Sequence, residues 1–230
     1  MSFVKKWRIN SRKVMIWVLI RIAVLKFSWC CLVLREFFPS RSSVLKKSSY
    51  RLYKDDLRAD FGGECGYCSS PDAMFGGYSV FHIDHFAPHS KFPLLKEEYT
   101  NLVYSCPSCN RAKSDKWVGG RADISHNETE GFVDPCCETY EEQLDRDFDG
   151  QFIASSEVGR YMIKNLRLYL ARHQYVWQAK QIRRLRERLR VLIASEELVD
   201  QNKIRILSLI DELTQAYEQF SALAIEKEVK

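Results

Sequence analysis

Two Cys-x-x-Cys pairs, Cys65/Cys68 and Cys106/Cys109, constrain this 230-residue chain more than any other feature. Tetrahedral zinc takes four thiolates at about 2.3 Å, and two such turns supply all four. As a set of disulfides the same spacing is awkward. With no convincing secretion signal, a structural Zn²⁺ in a reducing cytoplasm is the expectation. Thirty-seven residues separate the pairs, beyond the ~15–20 of a zinc ribbon, so a further element sits between the two knuckles. The adjacent pairs Cys30-Cys31 and Cys136-Cys137 read as packing residues.

The insert holds Phe81-His82-Ile83-Asp84-His85-Phe86-Ala87-Pro88 and then Tyr99-Thr100-Asn101-Leu102. The second knuckle runs straight into Asn110-Arg111-Ala112-Lys113-Ser114. Residues 79–84 alternate as a strand ending at Asp84-His85, and Leu102–Ser105 reads as its antiparallel partner. Cys109 onward reads as a short helix, which completes a strand, loop, strand, helix order.

At these residues the chain resembles the HNH endonuclease family, whose ββα-metal motif carries an Asp-His, an Asn-Leu and a final His or Asn. The resemblance covers about residues 58–117. The wording around it, DHFAPHSKFP and EYTNLVYSCPSCNRAKSDKW, looks like the HNH subunits of the Septu and retron-associated antiphage systems. GFVDP, RDFDGQFI and NLRLYLAR continue that likeness to about residue 172.

The resemblance implies an α+β fold and a metal-dependent nuclease acting on DNA, most naturally double-stranded. It makes His85 the general base, Asp84 and Asn110 the ligands of Mg²⁺ (or Mn²⁺), and Asn101 the residue that holds the connecting loop and orients His85. The chemistry agrees with those residue types. An imidazole deprotonates water near neutral pH, and a hard cation offsets charge on the phosphorane and the leaving 3′ oxygen. Asn110 in place of a final His favours an oxygen-ligated ion over a softer one. Lys113, one helical turn after Asn110, is a candidate contact to the scissile phosphate or a solvated residue. His82 shares the strand face of Asp84 and is a candidate accessory metal or phosphate contact, or structural. The resemblance also implies an ABC-type ATPase partner. The same site would cut RNA, such as a tRNA, since it does not read the sugar. A non-catalytic zinc-stabilised nucleic-acid-binding module needs none of Asp84, His85, Asn101 and Asn110, and their joint presence argues against it.

Outside the insert the chain divides by composition. Residues 1–54 hold 13 Lys/Arg against Glu36 alone, a charge of +12, while the remainder carries −7. A basic arm on an acidic body suits a polyanion partner or a solvated tail. Residues 14–34 have the length of a bilayer span, yet Arg21 and Lys26 leave no charge-free run longer than eight. A central Arg or Lys costs ~2.5–3.5 kcal/mol on insertion, which disfavours a membrane span. A partner-buried helix, a membrane-surface helix and a translated upstream extension stay open.

The expected division is 1–48 basic apolar segment and linker, 49–120 nuclease core with zinc knuckles, 121–155 acidic loop-rich segment, and 156–230 helical region. In the third segment Asp149-Gly150 signals a turn, followed by a short strand at Phe152-Ile153. In the helical region Ile182, Leu185, Leu189 and Leu192 recur at helical spacing, as do Leu207, Ile210, Leu213, Tyr217, Phe220 and Ala224. A break at 195–202 makes these an antiparallel hairpin. Its first helix carries Lys180, Arg183, Arg184, Arg186, Arg188 and Arg190 against Glu187, a face for phosphates, for the acidic segment or for solvent.

Overall fold

A computed structural model describes residues 34–194 and 200–226. Most of the amino-terminal apolar stretch and the residues joining the two carboxy-terminal helices lie outside the described residues. Among the described residues no helix is long and apolar enough to cross a membrane.

A short helix, α1 (Lys54–Asp60), precedes the first knuckle and buries Leu57. The strand β1 (His82–His85) pairs antiparallel with β2 (Leu102–Ser105), setting Asp84 opposite Val103 and His85 opposite Leu102. All four residues of β2 are buried, so Leu-Val-Tyr-Ser is covered on both faces of this two-stranded sheet. Helix α2 (Pro107–Lys113) follows at once, with Pro107 in its first turn and the Cys106 sulfur accepting from the Cys109 amide. Proline is suited to that position because the first-turn amide has no helical partner. The expected strand, loop, strand, helix order is therefore present. The first strand is shorter than its alternation suggests, starting at His82, and the helix begins two residues before Cys109.

Residues 38–48 form no helix or strand, yet they lie on the core. Arg41 Nε donates to the Leu102 carbonyl at 2.8 Å, and its other nitrogens grip the Asp134 carboxylate. Residues 121–155 are also better ordered than their surplus of acids suggests. Phe132, Val133, Tyr140 and Leu144 enter the main hydrophobic core. A four-residue helix, α3 (Tyr140–Gln143), leads into β3 (Leu144–Arg146), which pairs with β4 (Phe152–Ala154). Gly150, at φ +87, makes the turn between them.

The helical region begins where Ser156 caps α4 (Glu157–Asn165), its hydroxyl accepting from the Gly159 amide. The chain then breaks at Arg167, φ +55, before α5 (Ala171–Ala194). Helix α6 (Asp200–Glu226) packs along α5 around Ala179, Ile182, Leu189, Ile206, Leu209, Leu213, Ala216 and Phe220. Leu207, placed in the apolar stripe by spacing, is instead more than half exposed. The buried stripe runs through its neighbours Ile206 and Leu209, one step around the helix.

The arginine-rich face of α5 is largely engaged within the chain. Lys180 pairs with Glu64 at 2.7 Å, Arg184 with Glu36, and Arg190 with Glu187, while Arg186 stacks on Tyr217. Its acidic partners thus come from before the first knuckle and from α5 itself, not from residues 121–155. Leu213 lies fully buried between the hairpin helices. Leu213→Ala should cost about 2–5 kcal/mol through lost burial and the cavity left behind, read as a lowered denaturation midpoint.

Candidate active site and zinc centre

The two knuckles meet. Cys65, Cys68, Cys106 and Cys109 are all buried, and their sulfurs lie within 4.8 Å of one another. Cys68 Sγ and Cys106 Sγ are 3.8 Å apart. A tetrahedron with metal–sulfur bonds of ~2.3 Å has edges of about 3.8 Å, so the cluster is the size that zinc requires. Hydrogen bonding from Cys106 and the other thiols, together with burial, holds the Cys109 thiol well above its usual range. Four thiolates at this spacing need a cation. Cys136 and Cys137 take no part; Cys137 is exposed, and burial pushes the Cys136 thiol up to about 12.

Local backbone features shape the first knuckle. The Cys65 amide donates to the Ser70 carbonyl and the Ser69 amide to the Cys65 carbonyl, with Ser69 left-handed at φ +56. Gly66 donates to the Tyr104 carbonyl at 2.9 Å. A Cβ there would meet the Phe61 ring at 2.7 Å and Val103 at 2.9 Å. Only glycine lets the knuckle press this closely on β2.

Asp84 and His85 stand at the end of β1, on an open cleft of about 540 Å³ also lined by Asn110 of α2. The expected base and both expected metal ligands are therefore on one wall. Asp84 is buried, and burial pushes its carboxyl up while Lys113 and Tyr67 pull it back. Tyr67 Oη donates to Asp84 Oδ2 at 2.5 Å, and Lys113 Nζ lies 3.1 Å from the same oxygen.

His85 is held by its ring edge. Its Nε2 lies 2.9 Å from the Lys96 carbonyl, which can only accept, so Nε2 carries the proton and Nδ1 keeps a lone pair. That lone pair faces His89 Nδ1 at 3.2 Å, and the Tyr50 ring packs edge-on 4.8 Å from the imidazole. Since His85 Nδ1 can only accept here, His89 is the donor of that contact. Burial, then the neighbouring His89 and Lys113, draw the His85 pKa below its ordinary 6.5, against the Lys96 bond and Asp84, which raise it.

Three expected residues act differently from their sequence reading. Asn101 does not reach His85. Its side chain accepts from the Ala87 amide at 2.8 Å and donates to the carbonyls of Ala87 and Leu95. It thereby pins both ends of the loop whose Lys96 carbonyl holds His85, which makes it a positioning residue. Lys113 is fully buried and turned away from any phosphate; its Nζ donates to the His85 carbonyl at 2.8 Å besides meeting Asp84. His82 is exposed at the start of β1 and does not line the cleft. Partial burial and the charges of Lys54 and Arg111 lower its pKa.

Tyr67, His89 and Tyr50 are site residues that the sequence reading missed. Tyr67 is a non-ligand position within a knuckle, 17 residues from its carboxylate partner. His89 follows His85 by four residues, a spacing that becomes a contact only because Pro88 and Asn101 fold the loop back.

Residues 65–116 match the family model of the HNH endonuclease, a span that opens on Cys65 and includes Asp84, His85, Asn101, Asn110 and Lys113. No curated protein and no solved structure matches the chain. The matched family is one of metal-dependent nucleases, and the match supports a nuclease-type hydrolase reading of this segment.

Purified without chelator, the protein should hold about one zinc per chain by elemental analysis, lost in Cys109→Ser. A second expectation concerns pH. A base at His85 must be neutral, and its pKa is drawn below the ordinary 6.5. The acid-side loss of cleavage at saturating Mg²⁺ should therefore have its midpoint below pH 6.5, and a midpoint above it would contradict the assignment.

Proposed function

We propose that this chain is a metal-dependent endonuclease that hydrolyses DNA phosphodiester bonds, with His85 as general base and Asp84 and Asn110 holding Mg²⁺. The observation that carries this reading is the shared wall of the cleft. A histidine with one nitrogen fixed as donor and the other left as acceptor stands beside a carboxylate and an amide. The donor set is hard oxygen from Asp84 and Asn110, which suits Mg²⁺ or Mn²⁺. A cation bound there would offset charge gathering on the phosphorane and the leaving oxygen.

The chain's own residues account for the remaining work. Lys96 orients His85 so that Nδ1, not Nε2, takes the proton from the attacking water. His89 occupies that nitrogen at rest and is exposed, so the water replaces it when substrate binds. Lys113 stiffens the strand end by holding the His85 carbonyl, which keeps the base and Asp84 in register. Arg111 on the cleft rim supplies positive charge toward the phosphate backbone. One base and one metal cut one strand at a time, so a double-strand break takes two copies or two passes.

The biological setting follows from the motif wording. DHFAPHSKFP and EYTNLVYSCPSCNRAKSDKW support an effector nuclease of an antiphage system, working in the cytoplasm with an ABC-type ATPase that restrains it. Conditional activity suits an enzyme able to damage its own host.

Supercoiled plasmid incubated with zinc-loaded protein and Mg²⁺ tests the reading. Nicking should appear, disappear with EDTA, and fall about 10²–10⁴-fold in His85→Ala while zinc content is retained. Equal cutting by His85→Ala would remove His85 from the mechanism. An intact plasmid beside cleaved tRNA would redirect the substrate to RNA with the same chemistry.

A further inference from the structure

The first zinc knuckle does more than bind metal. Of the two residues between Cys65 and Cys68, Gly66 is fixed against β2, and the Tyr67 side chain reaches Asp84 of β1. Tyr67 is buried, and its backbone carbonyl accepts from Tyr140 Oη at 2.7 Å. Its backbone is thus held by the knuckle and by a residue from beyond the segment that matches the family, and its hydroxyl by Asp84.

We propose that Tyr67 is a positioning residue for the catalytic metal: with Lys113 it occupies Oδ2 of Asp84, so that Oδ1 alone is presented to the cation. The proposal rests on the nuclease reading above and deepens it. A carboxylate oxygen has two lone pairs. Tyr67 Oη at 2.5 Å and Lys113 Nζ at 3.1 Å take both on Oδ2. Rotation of the carboxylate to chelate through both oxygens would leave the buried Tyr67 hydroxyl without its acceptor and break the buried Lys113–Asp84 ion pair, which is costly. Asp84 is therefore a one-oxygen ligand, and coordination positions remain for Asn110, water and phosphate. The zinc site and the catalytic metal site are by this route consecutive parts of one structure: Zn–Cys65–Tyr67–Asp84.

Tyr67→Phe tests this, because it keeps the ring and deletes one hydroxyl. Mn²⁺ binding to the zinc-loaded full chain, followed by electron paramagnetic resonance without substrate, reads the metal site independently of cleavage. Tyr67→Phe should weaken Mn²⁺ 10–100-fold, the usual cost of losing an outer partner of a metal ligand. Zinc content and melting temperature should change little, which a purely structural role would not allow. Mg²⁺ half-saturation of nicking should rise in parallel, with the rate at saturating Mg²⁺ largely recovered. Lys113→Met should weaken the same Mn²⁺ signal and serves if Tyr67→Phe loses zinc. Unaltered Mn²⁺ affinity in either well-folded variant overturns the clamp. Asp84→Asn separates the two levels: wild-type protein that binds Mn²⁺ no better than Asp84→Asn defeats the metal reading itself.

Discussion

Four buried sulfurs within 4.8 Å of one another hold this structure together at its chemically active end. The surrounding elements are slight. β1 and β2 have four residues each and α2 has seven, well short of what stands alone in water. The first knuckle carries Tyr67 onto Asp84, and the second begins α2 through the Cys106 cap, placing Asn110 and Lys113. A single zinc ion bound there would set the distance between the strand that bears Asp84 and His85 and the helix that bears Asn110. Because folding and metal binding are linked in such a site, zinc free energy becomes stability of the catalytic geometry.

The cost of this arrangement is a charged site built inside a small core. Asp84 and Lys113 are both buried, and removing one partner would leave the other charge unpaired in low dielectric. The chain meets that cost by satisfying every role twice. Lys113 holds both Asp84 and the His85 carbonyl, and Asn101 ties both ends of the loop between the strands. His85 remains the least enclosed in function: one nitrogen is fixed to Lys96, and the other meets only the exposed His89. On the proposed reading, a firmly held Asp84 beside an imidazole whose acceptor can be uncovered is the division that water activation needs.

How much of this was legible follows from where each signal lives. The cysteine spacing and the order Asp84-His85, Asn101, Asn110 are local patterns; the four sulfurs meet, and Asp84, His85 and Asn110 line one cleft while Asn101 holds the loop behind it. β2 was readable to the residue because a buried four-residue run bounded by Asn101 and Cys106 admits little else. Other features depend on contacts far apart in the chain. Tyr67, a non-ligand position between two cysteines, carries no site signal until its hydroxyl is seen on Asp84. Lys113 reads as a cleft residue because helical spacing gives its turn but not its depth. Residues 121–155 read as loop because acids and glycines mask Phe132, Tyr140 and Leu144, whose burial is supplied by other segments. The arginines of α5 look free in sequence since Glu36 and Glu64, which pair with Arg184 and Lys180, lie more than a hundred residues away.

Analysis of the ends left by Mg²⁺-dependent cleavage of a labelled DNA duplex tests the central claim most directly. Attack by a water activated at His85, with the 3′ oxygen leaving, leaves a 5′-phosphate and a 3′-hydroxyl at every cut. Fragments bearing a 3′-phosphate, or cleavage unaffected by chelating the divalent ion, would contradict the account.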